Sequence, residues 1–202
     1  MIKNNDIEWI LREFIEKDQQ LTTRNKIRHS VLLSAKRDLK FLRGIDFRNT
    51  EYNLDKKIIQ ALESKLPSFA VILVFSSVID LVCRVSRGKI PNNKNGKYFR
   101  WSARRWFHLS KSASMALWNF RNSMSHQYTL SNKATMIPFG TTGVVVYDKK
   151  AKRWIFNLNA MYSSVIKVIP ELASYIRSLS ISTQRKKLEF IYKYGFFYTN
   201  SN

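Results

Sequence analysis

The sequence predicts a mainly α-helical bundle carrying one small β-hairpin. Three observations point there. Apolar residues recur near a 3.6-residue period along most of the chain. The period changes once, to short runs rich in Val, Ile and aromatics at 143–147 and 153–158. Gly (6) and Pro (4) are scarce among 202 residues while 45% are hydrophobic, which fits a packed chain and excludes a disordered one.

The elements follow in order. Ile7, Ile10, Leu11, Phe14 and Ile15 form one stripe behind Asp6, a candidate N-cap. A second helix is expected over 24–43, stopped by Gly44. A third covers 55–65 and ends before Pro67, because the residue preceding a proline is biased out of the α conformation. The fourth, 68–87, is the most apolar; it stops at Gly88 and belongs at the centre of the bundle. Residues 89–97 are turn-rich and read as a loop. The helical period resumes near Tyr98 and runs, with room for a bend, to Gln127. The polar link 148–152 joins the two strand-like runs into a hairpin. Asn159 can cap a final helical region that Pro170 kinks or divides, and Ser182 can cap a last basic helix ending near Gly195. The length suits one domain, 1–202, with a core over about 55–170. The N-terminal helices (5–43) and the basic C-terminal helix (182–195) are then extensions of it.

Cys83 is the sole cysteine, so no intramolecular disulfide can form, and a reducing, cytoplasmic setting is expected. The first residues mix charges and do not resemble a signal peptide. The longest apolar run, 69–85, is broken by Ser76, Ser77, Asp80 and Arg84 and is short for a bilayer, so no membrane span is expected.

Charge narrows the partners. Lys and Arg total 35 against 14 Asp and Glu, a formal net charge of +21. Such a surplus attracts polyanions, nucleic acid first and an anionic membrane surface second, although Lys-, Asn- and Ile-rich usage in an AT-rich genome also inflates lysine. The sharper feature is local: 81–147 contains no Asp or Glu but holds Arg84, Arg87, Lys89, Lys94, Lys97, Arg100, Arg104, Arg105, Lys111, Arg121 and Lys133. Aromatics interleave with the bases over 98–107. Bases hold phosphates and exposed rings stack on unpaired bases, so Lys97, Arg100, Arg104, Arg105 and Lys111 are the expected RNA contacts. The competing reading is that most of these rings pack a core. No carboxylate cluster suited to two metal ions lies in this stretch. His29, His108 and His126 lack zinc-site spacing, and there is no glycine-rich phosphate loop. Neither a metal nor a cofactor is expected.

Within the stretch, Ala113, Ala116, Leu117, Phe120 and Met124 form an apolar helical stripe, with Arg121 on its flank. Arginine can hold a phosphate bidentately, and histidine can move protons near neutrality. RNA carries its own nucleophile, the 2′-hydroxyl. Neighbouring bases should lower the pKa of His126 and favour a base role. On one straight helix, however, Arg121 and His126 lie about 140° apart. Either the helix ends or distorts near His126, or a second copy completes the site. By spacing alone the pair is a cheap pattern, and a helix-end histidine beside a surface-paired arginine stands as the alternative.

The segment Leu117-Trp118-Asn119-Phe120-Arg121-Asn122-Ser123-Met124-Ser125-His126-Gln127-Tyr128 resembles the signature of HEPN domains, Arg-x4–6-His with a polar residue after the arginine, in its narrower Arg-x4-His-x-Tyr form. The resemblance implies a HEPN-like helical bundle that acts as a homodimer with the active site at the interface. It implies a metal-independent endoribonuclease of toxin–antitoxin or antiviral-defence type, with an antitoxin or defence-system partner protein. Arg121 and His126 would then be catalytic, Asn122 would support them, and Tyr128 would match a tyrosine that some antitoxins modify with AMP. A tyrosine simply packed at the helix end is the other reading of Tyr128. The alternative for the whole chain is a non-catalytic basic RNA- or DNA-binding or assembly subunit of the same fold.

Overall fold

The computed structural model describes residues 4–12, 21–23, 26–44, 56–88, 92–127, 134–137, 143–194 and 196–200, with side-chain surroundings over 7–12, 32–39, 70–88, 93–123 and 143–191. The fold is mainly α. The helices are α1 (Asn4–Leu11), α2 (Val31–Gly44), α3 (Lys56–Arg87), α4 (Asn95–Trp106), α5 (Lys111–Gln127), α6 (Leu158–Arg177) and α7 (Ile181–Tyr194).

The long helix α3 is the centre, packing against α2, α4, α5, α6 and α7. Its apolar residues occur on every side, and Val71, Ile72, Phe75, Val78, Ile79, Val82 and Val85 are all buried. Only Ser77, Arg84 and Arg87 of the described part of α3 are exposed, so one narrow polar strip reaches solvent while the rest of the helix is covered. The expected break at Pro67 does not occur, since 56–87 is one helix. Proline there removes one backbone donor, a local cost of roughly 3 kcal/mol. Burying the apolar residues that follow outweighs it, at about 1.5–3 kcal/mol for each large side chain. The stop at Gly88 is as expected. Its N–H donates to Arg84 O at 2.7 Å and its φ is +83°, a left-handed cap that glycine enters without penalty.

Other boundaries differ from the sequence reading. The region 98–127 is two helices rather than one bent one. Phe107 turns into the core, its ring 5.2 Å from that of Phe75, and His108 takes a φ of 53°. Ser110 then caps α5: its Oγ accepts from Ala113 N at 3.1 Å and its carbonyl accepts from Ser114 N at 2.9 Å. The segment 26–30 is a strand rather than the start of the second helix, and α4 begins at Asn95, inside the expected loop. Asn157, not Asn159, caps α6 by accepting from Ala160 N at 3.1 Å. Pro170 does not divide α6, because a continuous buried stripe from Met161 to Ile176 holds both sides of it. The carbonyl of Ser180, before the expected Ser182, accepts the first bond of α7, from Gln184 N at 2.8 Å. In α1, Ile7, Ile10 and Leu11 are buried as expected, while Phe14 and Ile15 lie outside the described residues.

The hairpin is present. β4 (Val145–Asp148) pairs antiparallel with β5 (Arg153–Asn157), and β3 (Ala134–Ile137), which the sequence did not announce, adds parallel to the far side of β5. Its base is clamped to α5, with the Phe156 and Phe120 rings 4.6 Å apart. A second sheet, also unanticipated, joins β1 (Leu21–Thr23), β2 (Lys26–Ser30) and β6 (Phe196–Asn200). It pairs one end of the chain with the other, a non-local match that local periodicity does not encode. No helix among the described residues is long and apolar enough to cross a membrane.

Candidate functional site

Arg121 sits where α5 meets α3. The stripe beneath it is as expected: Ala113, Leu117 and Phe120 are buried and Ala116 packs on the core, while the Met124 side chain lies outside the described residues. Burial of that stripe fixes the rotation of α5 and leaves Arg121 on its half-buried flank. The guanidinium then meets Asp80, Asn122 and Trp118, among others. Its Nη2 is 3.1 Å from Asp80 Oδ2 on α3, its Nη1 donates to Asn122 Oδ1 at 3.3 Å, and it lies 5.2 Å from the Trp118 ring centroid. Trp118 is itself pinned, its ring 5.2 Å from Phe99, and a Cβ added at Gly96 would fall 2.9 Å from its Cε2. The planar cation is thus oriented from below and from two sides, as phosphate recognition requires.

Asp80, which the sequence reading noted only as an interruption of the apolar run 69–85, is the acid of the site. Burial pushes its pKa above the ordinary 3.8, opposed by the charges of Arg121 and Arg84. Asp80, Arg84 and Arg87 stand on successive turns of α3, so a cationic strip extends from the ion pair along one face. The Arg87 guanidinium lies 5.0 Å from the Tyr98 ring and 4.6 Å from that of Trp101. Sequence reasoning counted Arg84 and Arg87 among the bases but not in the site. The signal was available as the spacing 80, 84, 87 on one helix.

The expected phosphate-binding residues fall on the solvent side of α4. Lys97, Arg104 and Arg105 are exposed, Arg100 is half-buried, and Lys111 is exposed at the start of α5. Lys97, Arg100 and Arg104 share a face by spacing. Arg100 also reaches across to α5, with Nη1 3.2 Å from Met115 Sδ. Arg105 lies on the neighbouring face with Trp101, its guanidinium 5.4 Å from the Trp106 ring. The aromatics divide: Phe99, Trp106 and Phe107 are core, whereas Tyr98 and Trp101 are half-buried beneath Arg87.

His126 is in the last turn of α5, which is helical through Gln127; its side chain, and all of Tyr128, lie outside the described residues. Along this backbone, positions 121 and 126 are about 140° apart around the axis. Cys83 offers no alternative nucleophile. It is buried, its thiol donates to Tyr98 O at 3.3 Å, and burial and Asp80 push its pKa up to about 12. No group of three or more His, Cys, Asp and Glu able to hold a metal gathers among the described residues.

A polar junction closes the end of α3 beneath the strip. Trp106 Nε1 donates to Ser86 Oγ at 3.3 Å and Ser86 Oγ donates to Cys83 O at 3.2 Å. Lys187 Nζ on α7 donates to Ser86 O, and to Val85 O at 3.4 Å. Burial, then Arg87, lowers the Lys187 pKa from 10.5. A cation on the last carbonyls of a helix satisfies acceptors that have no donor within it.

Compared with protein-family models, curated proteins and solved structures, the chain matches none.

Proposed function

We propose that the protein is a metal-independent endoribonuclease with a HEPN-like active site, cutting RNA through its own 2′-hydroxyl. The observation that carries the reading is the Arg121 guanidinium, oriented by Asp80, Asn122 and Trp118 at the head of the Arg84–Arg87 strip. In the proposed reaction Arg121 holds the scissile phosphate and stabilises charge developing on it. His126 takes the proton from the 2′-hydroxyl, whose oxygen attacks the adjacent phosphorus. The 5′-oxygen leaves with a proton from the partner's His126, giving a 2′,3′-cyclic phosphate and a 5′-hydroxyl. Two copies are invoked because α5 carries positions 121 and 126 on well-separated faces. A toxin–antitoxin or antiviral-defence setting, with a restraining partner protein, and a cytoplasmic location belong to the same reading.

The test is cleavage of single-stranded RNA in chelator. Wild type cuts, while Arg121→Ala and His126→Ala each lose at least about 100-fold, as expected when a charge-stabilising or proton-transfer group is removed. Equal cutting by wild type and His126→Ala would remove His126 from the mechanism. The ion pair with Asp80 favours a second reading, a non-catalytic RNA- or DNA-binding subunit in which Arg121 is structural. That reading predicts salt-sensitive binding that survives Arg121→Ala, with no cutting by the wild type.

A further inference from the structure

The β4–β5 hairpin changes character along its length. At the base, Val145 and Phe156 are direct cross-strand partners and both are buried, Phe156 against Phe120 of α5. Two residues further out, and so on the same face, the direct pair is Tyr147 and Trp154. Tyr147 is 45% exposed, Trp154 is half-buried, and their rings are 5.1 Å apart, tilted by 58°. Beyond them comes the tip, where Lys149, Lys150, Lys152 and Arg153 are all exposed. The one acid of 143–157, Asp148, accepts from Lys150 N at 2.9 Å and Ala151 N at 3.1 Å. Its Oδ1 therefore shapes the turn. Lys152 completes the turn at a φ of 50°, a conformation uncommon for a residue with a Cβ.

Packing explains the base of this arm and the side of Trp154 that rests on the core, but not the exposed Tyr147 ring or the cationic tip. The cross-strand pair itself contributes only about 0.2–1 kcal/mol, and four cations within five residues repel one another. Rings and cations on one exposed arm match a ligand with flat apolar faces and regularly spaced negative charges. We propose that the hairpin arm, 147–154, is a second RNA contact that binds single strands. Unpaired bases stack on Tyr147 and Trp154, and Lys149, Lys150, Lys152 and Arg153 take the flanking phosphates. The proposal rests on the reading of the protein as acting on RNA, and adds that the RNA is unpaired beside the cut. The arm is rooted at Phe120, the residue before Arg121, so a strand lying along it leads toward that guanidinium.

The experiment measures binding of a fluorescently labelled single-stranded RNA and of its duplex by anisotropy. It uses the full chain, Tyr147→Ala, Trp154→Ala and a Lys149→Gln/Lys150→Gln/Lys152→Gln variant. Each aromatic substitution should weaken single-strand binding about 5- to 150-fold, with a much smaller effect on duplex. The triple variant should flatten the slope of log affinity against log salt by about 2. Tyr147 and the three lysines are exposed, so those variants should keep the wild-type melting temperature to within about 1 °C and stay interpretable if Trp154→Ala misfolds. If wild type binds single-stranded RNA and the Tyr147 and triple-lysine variants bind it equally well, the arm proposal fails while the nuclease reading stands. Binding without cleavage by the wild type, weakened in these variants, upholds the arm and sinks the nuclease. Preference of the wild type for anionic vesicles over RNA, lost in the arm variants, overturns the arm as an RNA contact.

Discussion

Replacing Asp80 with Asn tests whether Arg121 faces a phosphate. The carboxylate lies 3.1 Å from the Arg121 Nη2, so in the wild type it competes with any phosphate for the same cation. A phosphate sharing the guanidinium with it would sit roughly 6 Å from Asp80, two charge-assisted contacts in series. The repulsion at that separation is about 0.7 kcal/mol at the dielectric constant of water and about 2.8 kcal/mol at an effective constant near 20. The two side chains are 30% and 32% exposed, so water screens them substantially and a value near 1 kcal/mol is expected. That is about a fivefold gain in RNA affinity for Asp80→Asn. The salt slope should also steepen by about 0.7, because Arg121 then neutralises a phosphate instead of a carboxylate. Stability should change by less than about 1 kcal/mol, since half-exposed ion pairs contribute little. The pH dependence has a definite sign. Burial raises the folded-state pKa of Asp80, so on acidification the folded protein takes up this proton before the unfolded chain does. Its contribution to stability therefore grows as pH falls through the raised value, and is complete below the ordinary 3.8. Over the same window the wild type's RNA affinity should converge on that of Asp80→Asn. Fluorescence anisotropy at matched salt measures all of this. An affinity for Asp80→Asn equal to or below that of wild type would refute a phosphate on Arg121.

Gly96→Ala should destabilise the protein by up to about 2 kcal/mol in urea denaturation, because overpacking against Trp118 exceeds the roughly 1 kcal/mol that alanine gains in a helix. The same change displaces the ring under Arg121, so RNA affinity should fall with it. Phe156→Ala empties the clamp between the hairpin and α5 and should cost about 3–5 kcal/mol, a fall in melting temperature of roughly 6–20 °C for a chain of this size. Lys187→Ala removes the Lys187 ammonium from the carbonyls of Val85 and Ser86, leaving Ser86 O with only the Tyr175 hydroxyl at 3.5 Å, and should cost about 1–2 kcal/mol. Because the folded-state pKa of Lys187 is lowered, the folded protein releases its proton first as pH rises. Wild-type stability relative to Lys187→Ala should therefore increase with pH up to about 10.5, readable from denaturation midpoints in a pH series.

What was legible depended on how local the cause was. The burial of Val71, Ile72, Phe75 and Ile79 follows from apolar density, and Gly88 as a stop follows from its freedom at positive φ. The hairpin was visible because both of its strands and its turn lie within one short stretch. Pro67 does not end its helix and Pro170 does not divide α6, since a local penalty of one donor yields to burial, of the residues from Val71 onward after Pro67 and on both sides of Pro170. The helix break at 107–110 depends on Phe107 finding Phe75 and on a serine cap, neither of which interrupts the apolar period. The sheet joining β2 to β6 needs both ends of the chain at once. At the site, Arg121 and Asn122 were legible from the motif, and the structure brings them together. Asp80 was not: it lies 41 positions away from Arg121, and only the crossing of α3 and α5 makes them partners.

In the proposed reaction RNA supplies the nucleophile while Arg121 and His126 supply charge and proton transfer. The direct measurement is the product of a defined single-stranded oligonucleotide, cut in chelator and compared with the same strand carrying 2′-deoxy sugar at the cleaved position. The ribose strand should end in a 2′,3′-cyclic phosphate, the deoxy position should stay uncut, and product should be lost in both Arg121→Ala and His126→Ala. Cleavage of the deoxy strand, or a 3′-hydroxyl product end, would contradict that reaction.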